Sequence, residues 1–190
     1  MKPLMNGRVY SRDIDGWKIY WESCGIYRHW CHQIKNRDWN SLLIVMFNPG
    51  SLSMDGSNLK KDTTLRILRD VCGTAKFNPY IINLFDYATP SPQVLFKNWN
   101  KRDSNTLIFD KLPLSIFTNY ILAYGDYENW KLYKSEINDR QTLVLHHLKE
   151  LNEIILPKNN SGTPKHPITW QRQKLKKKIS TILRDEQIDI

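Results

Sequence analysis

Two short loops carry the side chains best suited to chemistry, one around Asn48 and the other around His166. Asn48 directly follows an apolar run, and the next two residues, Pro49 and Gly50, restrict the backbone and allow a ligand to approach closely. A carboxamide at this point can orient a water molecule or hold the edge of a base. It can equally cap a turn, and the local sequence favours neither interpretation.

The second loop holds a histidine among conformationally restricted residues. Pro164 and Pro167 flank His166, and Lys165 precedes it. Such a loop could place an imidazole beside a developing anion, although a lone histidine is more often structural. The flanking prolines and the lysine make the functional interpretation as strong as the structural one.

Asp62, Arg66 and Asn83 are further candidates. Asp62 begins a helical pattern and could be a general base, but capping the helix N-terminus is the more common role. Arg66 follows one turn later and could meet a phosphate, because helix N-termini bind anions. Asn83 lies within an apolar run, so its amide must find a partner, either in the core or at the floor of a base pocket.

The charge balance indicates a polyanionic partner. The chain carries 28 Lys and Arg against 19 Asp and Glu, a formal net charge of +9. The densest basic block lies near the C-terminus, where apolar residues at helical spacing predict an amphipathic helix. Its basic side could be a solvated face, but a clamp on a DNA backbone is favoured. The residues of this expected DNA-binding surface are Lys165, Arg172, Lys174, Lys176, Lys177 and Lys178.

Metal sites, cofactors and membrane association are not expected. The three cysteines form no pair with metal-ligand spacing. No apolar run approaches the roughly 20 residues that a membrane helix requires, and the N-terminus lacks the apolar stretch of a secretory signal. We therefore expect a cytoplasmic monomer whose partner is DNA.

The elements that must position these loops alternate between strands and helices. Four apolar runs predict buried strands, at residues 41–47, 79–85, 116–124 and 152–156. Helical patterns lie between and after them, at about 62–73, 103–112, 136–148 and 169–184. In parallel sheets a ligand lies beyond the carboxyl ends of the strands, so the Asn48 and His166 loops are expected to meet at one edge.

The expected fold is one α/β domain over residues 1–190. It is a three-layer sandwich with a central, four-stranded, mainly parallel sheet. Residues 1–35 are expected to add a β-hairpin, because Asp15-Gly16 between two alternating segments is a strong turn signal. Residues 168–190 are expected to add the basic C-terminal helix.

The two loops resemble the motifs of a known enzyme superfamily. Residues 47–52, Phe-Asn-Pro-Gly-Ser-Leu, look like the first motif of the uracil-DNA glycosylases, particularly the mismatch-specific branch. His166-Pro167-Ile168 resembles their second motif, a His-Pro loop after the last strand. The resemblance implies a glycosylase-like fold in which Asn48 positions the attacking water. It also implies that His166 supports the departing base or holds the minor groove.

Most of the chain, residues 26–170, is also similar to an uncharacterised bacterial and phage domain family. Its pattern is an Asn-Pro-small loop, an Asp-x-Thr-x-x-Arg helix start, an Asn-Leu-Phe strand and a Gly-x-Pro-x-His-Pro loop. In this chain the four motifs begin at Asn48, Asp62, Asn83 and Gly162.

The glycosylase resemblance also implies a substrate. Where the uracil-specific branch has a bulky tyrosine that blocks a 5-methyl group, this chain has the small Gly50 and Ser51. The implied substrate is a flipped pyrimidine with a 5-substituent, as in modified phage DNA, and the implied role is antiviral defence. Ile168 replaces the serine expected after the His-Pro pair, which departs from the groove-inserting part of the motif. The expected substrate-binding residues are Phe47, Pro49, Gly50, Ser51, Arg66, Asn83 and Phe85.

Two other functions fit the same residues. The chain could be a non-catalytic nucleic-acid-binding domain, or an enzyme that acts on free nucleotides through the helix at Asp62 and Arg66. The motifs contain no evident lysine nucleophile. A glycosylase of this kind would therefore be monofunctional, hydrolysing the bond and leaving an abasic site.

Overall fold

A computed structural model of the chain describes residues 9–22, 25–50, 62–103, 109 and 112–187. Within these residues, seven strands form one sheet in the order β1-β2-β3-β5-β4-β6-β7. The strands are β1 (Val9–Ile14), β2 (Trp17–Glu22), β3 (Arg28–His32), β4 (Ser41–Met46), β5 (Asn78–Asn83), β6 (Phe117–Leu122) and β7 (Asn152–Glu153). The α-helices are α1 (Thr63–Thr74), α2 (Pro92–Lys97), α3 (Lys134–His147) and α4 (Gln173–Asp185).

The expected central, four-stranded, mainly parallel sheet is wrong. The sheet is mixed, because β3 pairs antiparallel with β5 and so joins the first three strands to the rest. The expected hairpin is present, turning at Asp15 and Gly16 with positive φ at both, but it forms the edge of this sheet. The physical reason lies in β3, whose first four residues are buried and need a neighbouring strand. Strands β5, β4, β6 and β7 pair in parallel.

Three other elements differ from the sequence expectations. The last strand is only two residues long. The C-terminal helix is preceded by a separate 3₁₀ helix, Pro167–Gln171, because Arg172 is extended and interrupts the helical backbone. Helix α1 continues to Thr74 rather than ending at Gly73. The helix expected at 103–112 falls mostly outside the described residues.

Helices cover both faces of the sheet, and each face has its own apolar core. Alternate residues of β4 point to opposite faces. Leu42 and Ile44 pack with α1 and α4, whereas Leu43 and Val45 pack with α2 and α3. Fully burying an aliphatic side chain of this size contributes about 1.5–3 kcal/mol. The central strand is therefore a rigid base for the loop that follows it. None of the helices in the described part of the chain is long and apolar enough to cross a membrane.

Candidate functional site

A cavity of about 730 Å³ lies where the parallel strands end. Asn48 enters it from the loop after β4, Asn83 from the end of β5 and His166 from the loop before the 3₁₀ helix. Asp62, at the start of α1, also lines it. The volume is within the range of about 300–1,000 Å³ that is typical of small-molecule sites. The fold therefore brings together the three residues expected to be catalytic.

The Asn48 carboxamide is held by its nitrogen. Nδ2 donates to the carbonyl oxygen of Pro49 and to Oγ1 of Thr89, each at 2.9 Å. Thr89 is 2% exposed, and its hydroxyl donates in turn to the carbonyl oxygen of Ser91. Because a carbonyl can only accept, the Pro49 contact identifies the nitrogen of the amide. Among the described residues Oδ1 has no hydrogen-bond donor, so this oxygen is left as an acceptor at the cavity.

The His166 imidazole is held as a neutral donor. Its Nδ1 accepts a hydrogen bond from the backbone N–H of Ile168 at 3.2 Å. Burial lowers the His166 pKa to about 4, while the Asp62 carboxylate acts in the opposite direction. The ring is therefore neutral at pH 7, and with Nδ1 accepting, the proton resides on Nε2. The site gains one N–H donor without a cationic charge.

Asp62 fits both interpretations of its role. It is the N-cap of α1, because Oδ1 accepts from the backbone N–H of Leu65 at 3.0 Å. Its second oxygen, Oδ2, would lie 3.6 Å from a Cβ atom added to Gly50, so it faces the Asn48 loop. One carboxylate oxygen thus caps the helix while the other borders the cavity.

Two buried polar side chains also line the cavity. Asn83 is 5% exposed, and Arg28, on β3, is 4% exposed. Both line the cavity. Sequence reasoning identified Asn83 but missed Arg28, because an arginine in an N-terminal strand gives no sign of facing a site formed by later loops. It also missed Thr89, whose role depends on a contact with a residue far away in the chain.

The remaining substrate-binding candidates occupy different positions relative to the cavity. Gly50 lines the cavity, whereas Phe47 and Phe85 are buried beneath it and contact each other with ring centroids 5.4 Å apart. Pro49 is buried and contributes its carbonyl oxygen to Asn48. Arg66 is exposed and is not part of the cavity lining. Ser51 lies outside the described residues.

The expected basic clamp on α4 does not reach the cavity lining. Lys176 is paired with Asp70 of α1 at 3.2 Å, and the remaining basic residues, Arg172, Lys174, Lys177 and Lys178, are exposed. Beside the cavity lies a second, open groove of about 760 Å³, lined by Lys131, Lys134 and Lys165. Asp126, Tyr127 and Asn159 border both depressions, so the two are contiguous. Of the expected DNA-binding residues, only Lys165 lies next to the site.

Other kinds of chemistry find less support in the described residues. Burial raises the pKa of the Cys31 and Cys72 thiols to about 12, so neither is a reactive thiolate at neutral pH. No group of three or more His, Cys, Asp and Glu side chains in the described ranges could hold a metal ion. Among the described residues, the polar groups that border the cavity are amides, hydroxyls, an imidazole, carboxylates and a guanidinium.

Comparison with known proteins places the chain in a family without giving it an activity. A search of curated proteins and a search of solved structures each found no match. The family model described as "Protein of unknown function (DUF1643)" matches residues 26–168, which include all four sequence motifs and the cavity loops. The chain therefore belongs to the DUF1643 family.

Proposed function

We propose that this protein is a DNA N-glycosylase that hydrolyses the glycosidic bond of a flipped, 5-modified pyrimidine and leaves an abasic site. One observation carries the proposal. Asn48 and His166, from distant parts of the chain, line one cavity and offer complementary groups. Asn48 offers an acceptor, Oδ1, that has no donor among the described residues, and His166 offers a neutral donor. Hydrolysis of a glycosidic bond needs both, one for the attacking water and one for the departing base.

Asn48 orients the attacking water, and Asp62 accepts its proton. Oδ1 of Asn48 accepts a hydrogen bond from the water and orients its oxygen toward C1′ of the sugar. An amide cannot take up the proton, whereas Oδ2 of Asp62 can, and its position near Gly50 places it beside the Asn48 loop. The water oxygen bonds to C1′, the C1′–N1 bond breaks, its electron pair leaves with the base, and the water proton passes to Asp62.

On the base side, His166 stabilises the charge that develops. Nε2–H donates to a carbonyl oxygen of the departing base, which becomes anionic as the bond breaks. Removing one donor of this kind typically lowers a rate by about 10²–10³-fold. Because burial keeps the imidazole neutral, His166 can provide this hydrogen bond without being protonated first.

The surroundings of the cavity support DNA as the substrate. The chain has a net charge of +9, and the groove with Lys131, Lys134 and Lys165 adjoins the cavity. Gly50 lines the wall and has no side chain that would oppose a 5-substituent. A base must leave the duplex to enter such a cavity. We propose that the protein acts in the cytoplasm, on modified phage DNA, as a defence.

The test is release of a base from defined DNA. Oligonucleotides containing cytosine, uracil, thymine, 5-hydroxymethylcytosine or 5-hydroxymethyluracil are incubated with the protein, and abasic sites are detected by alkali cleavage. We expect cleavage at a 5-substituted base and its loss in Asn48→Ala, with Arg184→Ala on α4 as the control that retains it. DNA binding without release would favour a non-catalytic binding domain. Release only from nucleoside monophosphates would favour the enzyme of free nucleotides.

A further inference from the structure

Arg28, on β3, carries a guanidinium group that is buried in the protein. Its side chain lines the cavity at 4% exposure, and Nη1 has no hydrogen-bond partner among the described residues. Asp62 and Asp126 border the same cavity, but no ion pair joins either of them to Arg28 within the described residues. Leaving a buried guanidinium nitrogen without an acceptor is costly. A ligand in the cavity would offer Nη1 an acceptor that the described residues do not provide.

A β-bulge turns Arg28 toward the cavity. Tyr20 of β2 pairs with Trp30 of β3, and the next residue, Trp21, pairs with Arg28, so His29 is an extra residue with no partner on β2. Side chains of a regular strand alternate, and one inserted residue reverses which face the following positions use. The bulge therefore places Arg28 on the same face as Trp21, which belongs to the core on the α1 side.

The extra residue, His29, is held in place by a contact of its own side chain. His29 is fully buried, and its Nδ1 lies 3.0 Å from Oδ2 of Asp86, in the loop after β5. The backbone N–H of Arg28 donates to the carbonyl oxygen of Asp86 at 2.8 Å. Two contacts to one residue thus fix the bulge and the direction of Arg28. His29 and Asp86 are positioning residues, and Arg28 is the group presented to the ligand.

Asn83 lies on the neighbouring strand, β5. Its side chain can bind the same ligand as Arg28. This side chain is almost completely buried and lines the cavity. A carboxamide has one acceptor oxygen, and a guanidinium offers several donors in a fixed fork. The pair can therefore bind an edge that has two adjacent acceptors and, next to them, one donor.

We propose that Arg28 and Asn83 select a cytosine-type base. Cytosine presents this pattern on its Watson–Crick edge, with acceptors at O2 and N3 and a donor at N4. Arg28 donates to N3 and O2, and Oδ1 of Asn83 accepts from the N4 amino group. Uracil and thymine carry a hydrogen at N3, which would point at the guanidinium and leave one of its donors unpaired. The inference rests on the proposed glycosylase function and narrows its substrate to 5-modified cytosine.

Arg28 would also contribute to the reaction. When the C1′–N1 bond breaks, the electron pair that leaves with the base spreads over N1, O2 and N3. The guanidinium next to N3 and O2 stabilises that charge, while His166 provides a neutral donor to O2. The neutral histidine and the cationic arginine thus act on the same departing anion.

The experiment compares matched analogues that cannot be cleaved. DNA duplexes carry 2′-fluoroarabino-cytidine or 2′-fluoroarabino-uridine, each with the same 5-hydroxymethyl group, and binding is measured by fluorescence polarisation. A bidentate contact to a base typically discriminates by about tenfold or more. We expect at least about tenfold tighter binding of the cytidine duplex, and loss of this preference in Arg28→Met. Arg28→Lys should retain part of the affinity but not the preference, because it keeps the charge and loses the fork. Arg184→Met is the matched control.

The outcomes separate the two proposals. Equal binding of both analogues, preference for uridine, or a cytidine preference that survives in Arg28→Met would each overturn the assignment of Arg28 and leave the glycosylase proposal standing. If neither analogue binds more tightly than the unmodified duplex and no base is released from any DNA, the proposed function fails, and the assignment with it. Thermal unfolding provides a further readout. A ligand-binding role predicts that Arg28→Met unfolds at the same or a higher temperature, since it removes a buried guanidinium whose Nη1 has no partner among the described residues. A structural role predicts a lower temperature.

Discussion

The side-chain nitrogen of Asn48 donates to the hydroxyl oxygen of Thr89 at 2.9 Å, which joins the loops after β4 and β5 at the cavity. The backbone N–H of Thr89 also donates to the carbonyl oxygen of Pro49, so the two loops contact each other twice. Thr89 and the Pro49 carbonyl therefore together hold the amide nitrogen of Asn48 and leave its oxygen to face the cavity. A rotated amide would present a donor where the proposed reaction needs an acceptor.

Replacing Thr89 with valine tests this arrangement. Thr89→Val keeps the shape of the side chain and removes the acceptor, leaving Nδ2 of Asn48 with only the Pro49 carbonyl. We expect base release to fall by about 10–100-fold, because small misplacements of catalytic groups cost rates of this order. The free energy of unfolding should fall by only about 1 kcal/mol, as for one ordinary hydrogen bond. Thr89→Ser, which restores the hydroxyl, is the control, and equal activity of the two variants would contradict the role.

The buried histidine should make stability depend on pH. The His166 pKa is about 4 in the folded protein, against about 6.5 for an unperturbed histidine. Between these values the unfolded chain binds a proton that the folded protein does not, so the free energy of unfolding falls as the pH is lowered from about 6.5 to 4. His166→Gln should weaken this pH dependence, while His146→Gln, on the exposed side of α3, should not.

Urea denaturation at several pH values measures the effect. The wild-type protein should lose up to about 3 kcal/mol more than His166→Gln over this range, from the linkage relation. His32, whose pKa burial also lowers, contributes to the slope of both proteins and cancels in the comparison. Parallel slopes for the wild-type protein and His166→Gln would show that the imidazole is not buried as described.

The local features of the fold follow from short stretches of sequence. The Asp15-Gly16 turn, the run that becomes β4 and the cap at Asp62 depend on neighbouring residues, and all three are present. The meeting of Asn48 and His166 at one cavity also follows, because both loops come after predicted strands of one sheet. These features depend on propensity and on chain order, which the sequence contains directly.

The features that could not be predicted depend on contacts between distant residues. The antiparallel pairing of β3 with β5 joins segments about fifty residues apart, and no local pattern specifies it. The bulge at His29 is stabilised by Asp86 and reverses the side-chain alternation, so Arg28 could not be assigned to the cavity face from its position in the strand. The basic residues of α4 are close together in the sequence and were easily identified as a cluster. The lysines beside the cavity come from two separated segments, so the sequence does not show them as a cluster.

The two basic surfaces can be compared directly. Lys131 and Lys134 line the groove that adjoins the cavity, whereas Lys177 and Lys178 are exposed on α4. If DNA follows the groove, the double variant Lys131→Ala/Lys134→Ala should weaken binding of a duplex. Its salt dependence, as the slope of log K against log salt concentration, should fall by about one for each lost phosphate contact.

The matched variant is Lys177→Ala/Lys178→Ala, which removes the same charge from the chain. We expect it to retain most of the affinity and the salt slope of the wild-type protein. Fluorescence polarisation with one duplex over a range of salt concentrations gives both quantities. A larger loss in the α4 variant would restore the C-terminal helix as the DNA-binding surface and remove the groove from the proposal.

Among the described residues, two glycines line the cavity, and they should differ in their tolerance of a methyl group. Gly125 has a φ of +85°, and a Cβ atom there would lie 3.0 Å from Cβ of His166 and 3.1 Å from the hydroxyl of Tyr127. Gly50 has no such close approach among the described residues, where the nearest atom to an added Cβ would be Oδ2 of Asp62 at 3.6 Å, an ordinary separation. Gly125→Ala should therefore cost about 1–3 kcal/mol of unfolding free energy, and Gly50→Ala less than about 1 kcal/mol.

The same pair of variants tests the placement of His166. Gly125→Ala forces His166 or Tyr127 to move, so base release should fall even at temperatures where the variant is fully folded. Gly50→Ala adds one methyl group next to Asp62 and should leave the imidazole in place, so its activity should fall less. Urea denaturation and the alkali-cleavage assay measure the two effects separately. Equal costs in stability and equal activities would mean that the loop at Gly125 does not hold His166 at the cavity.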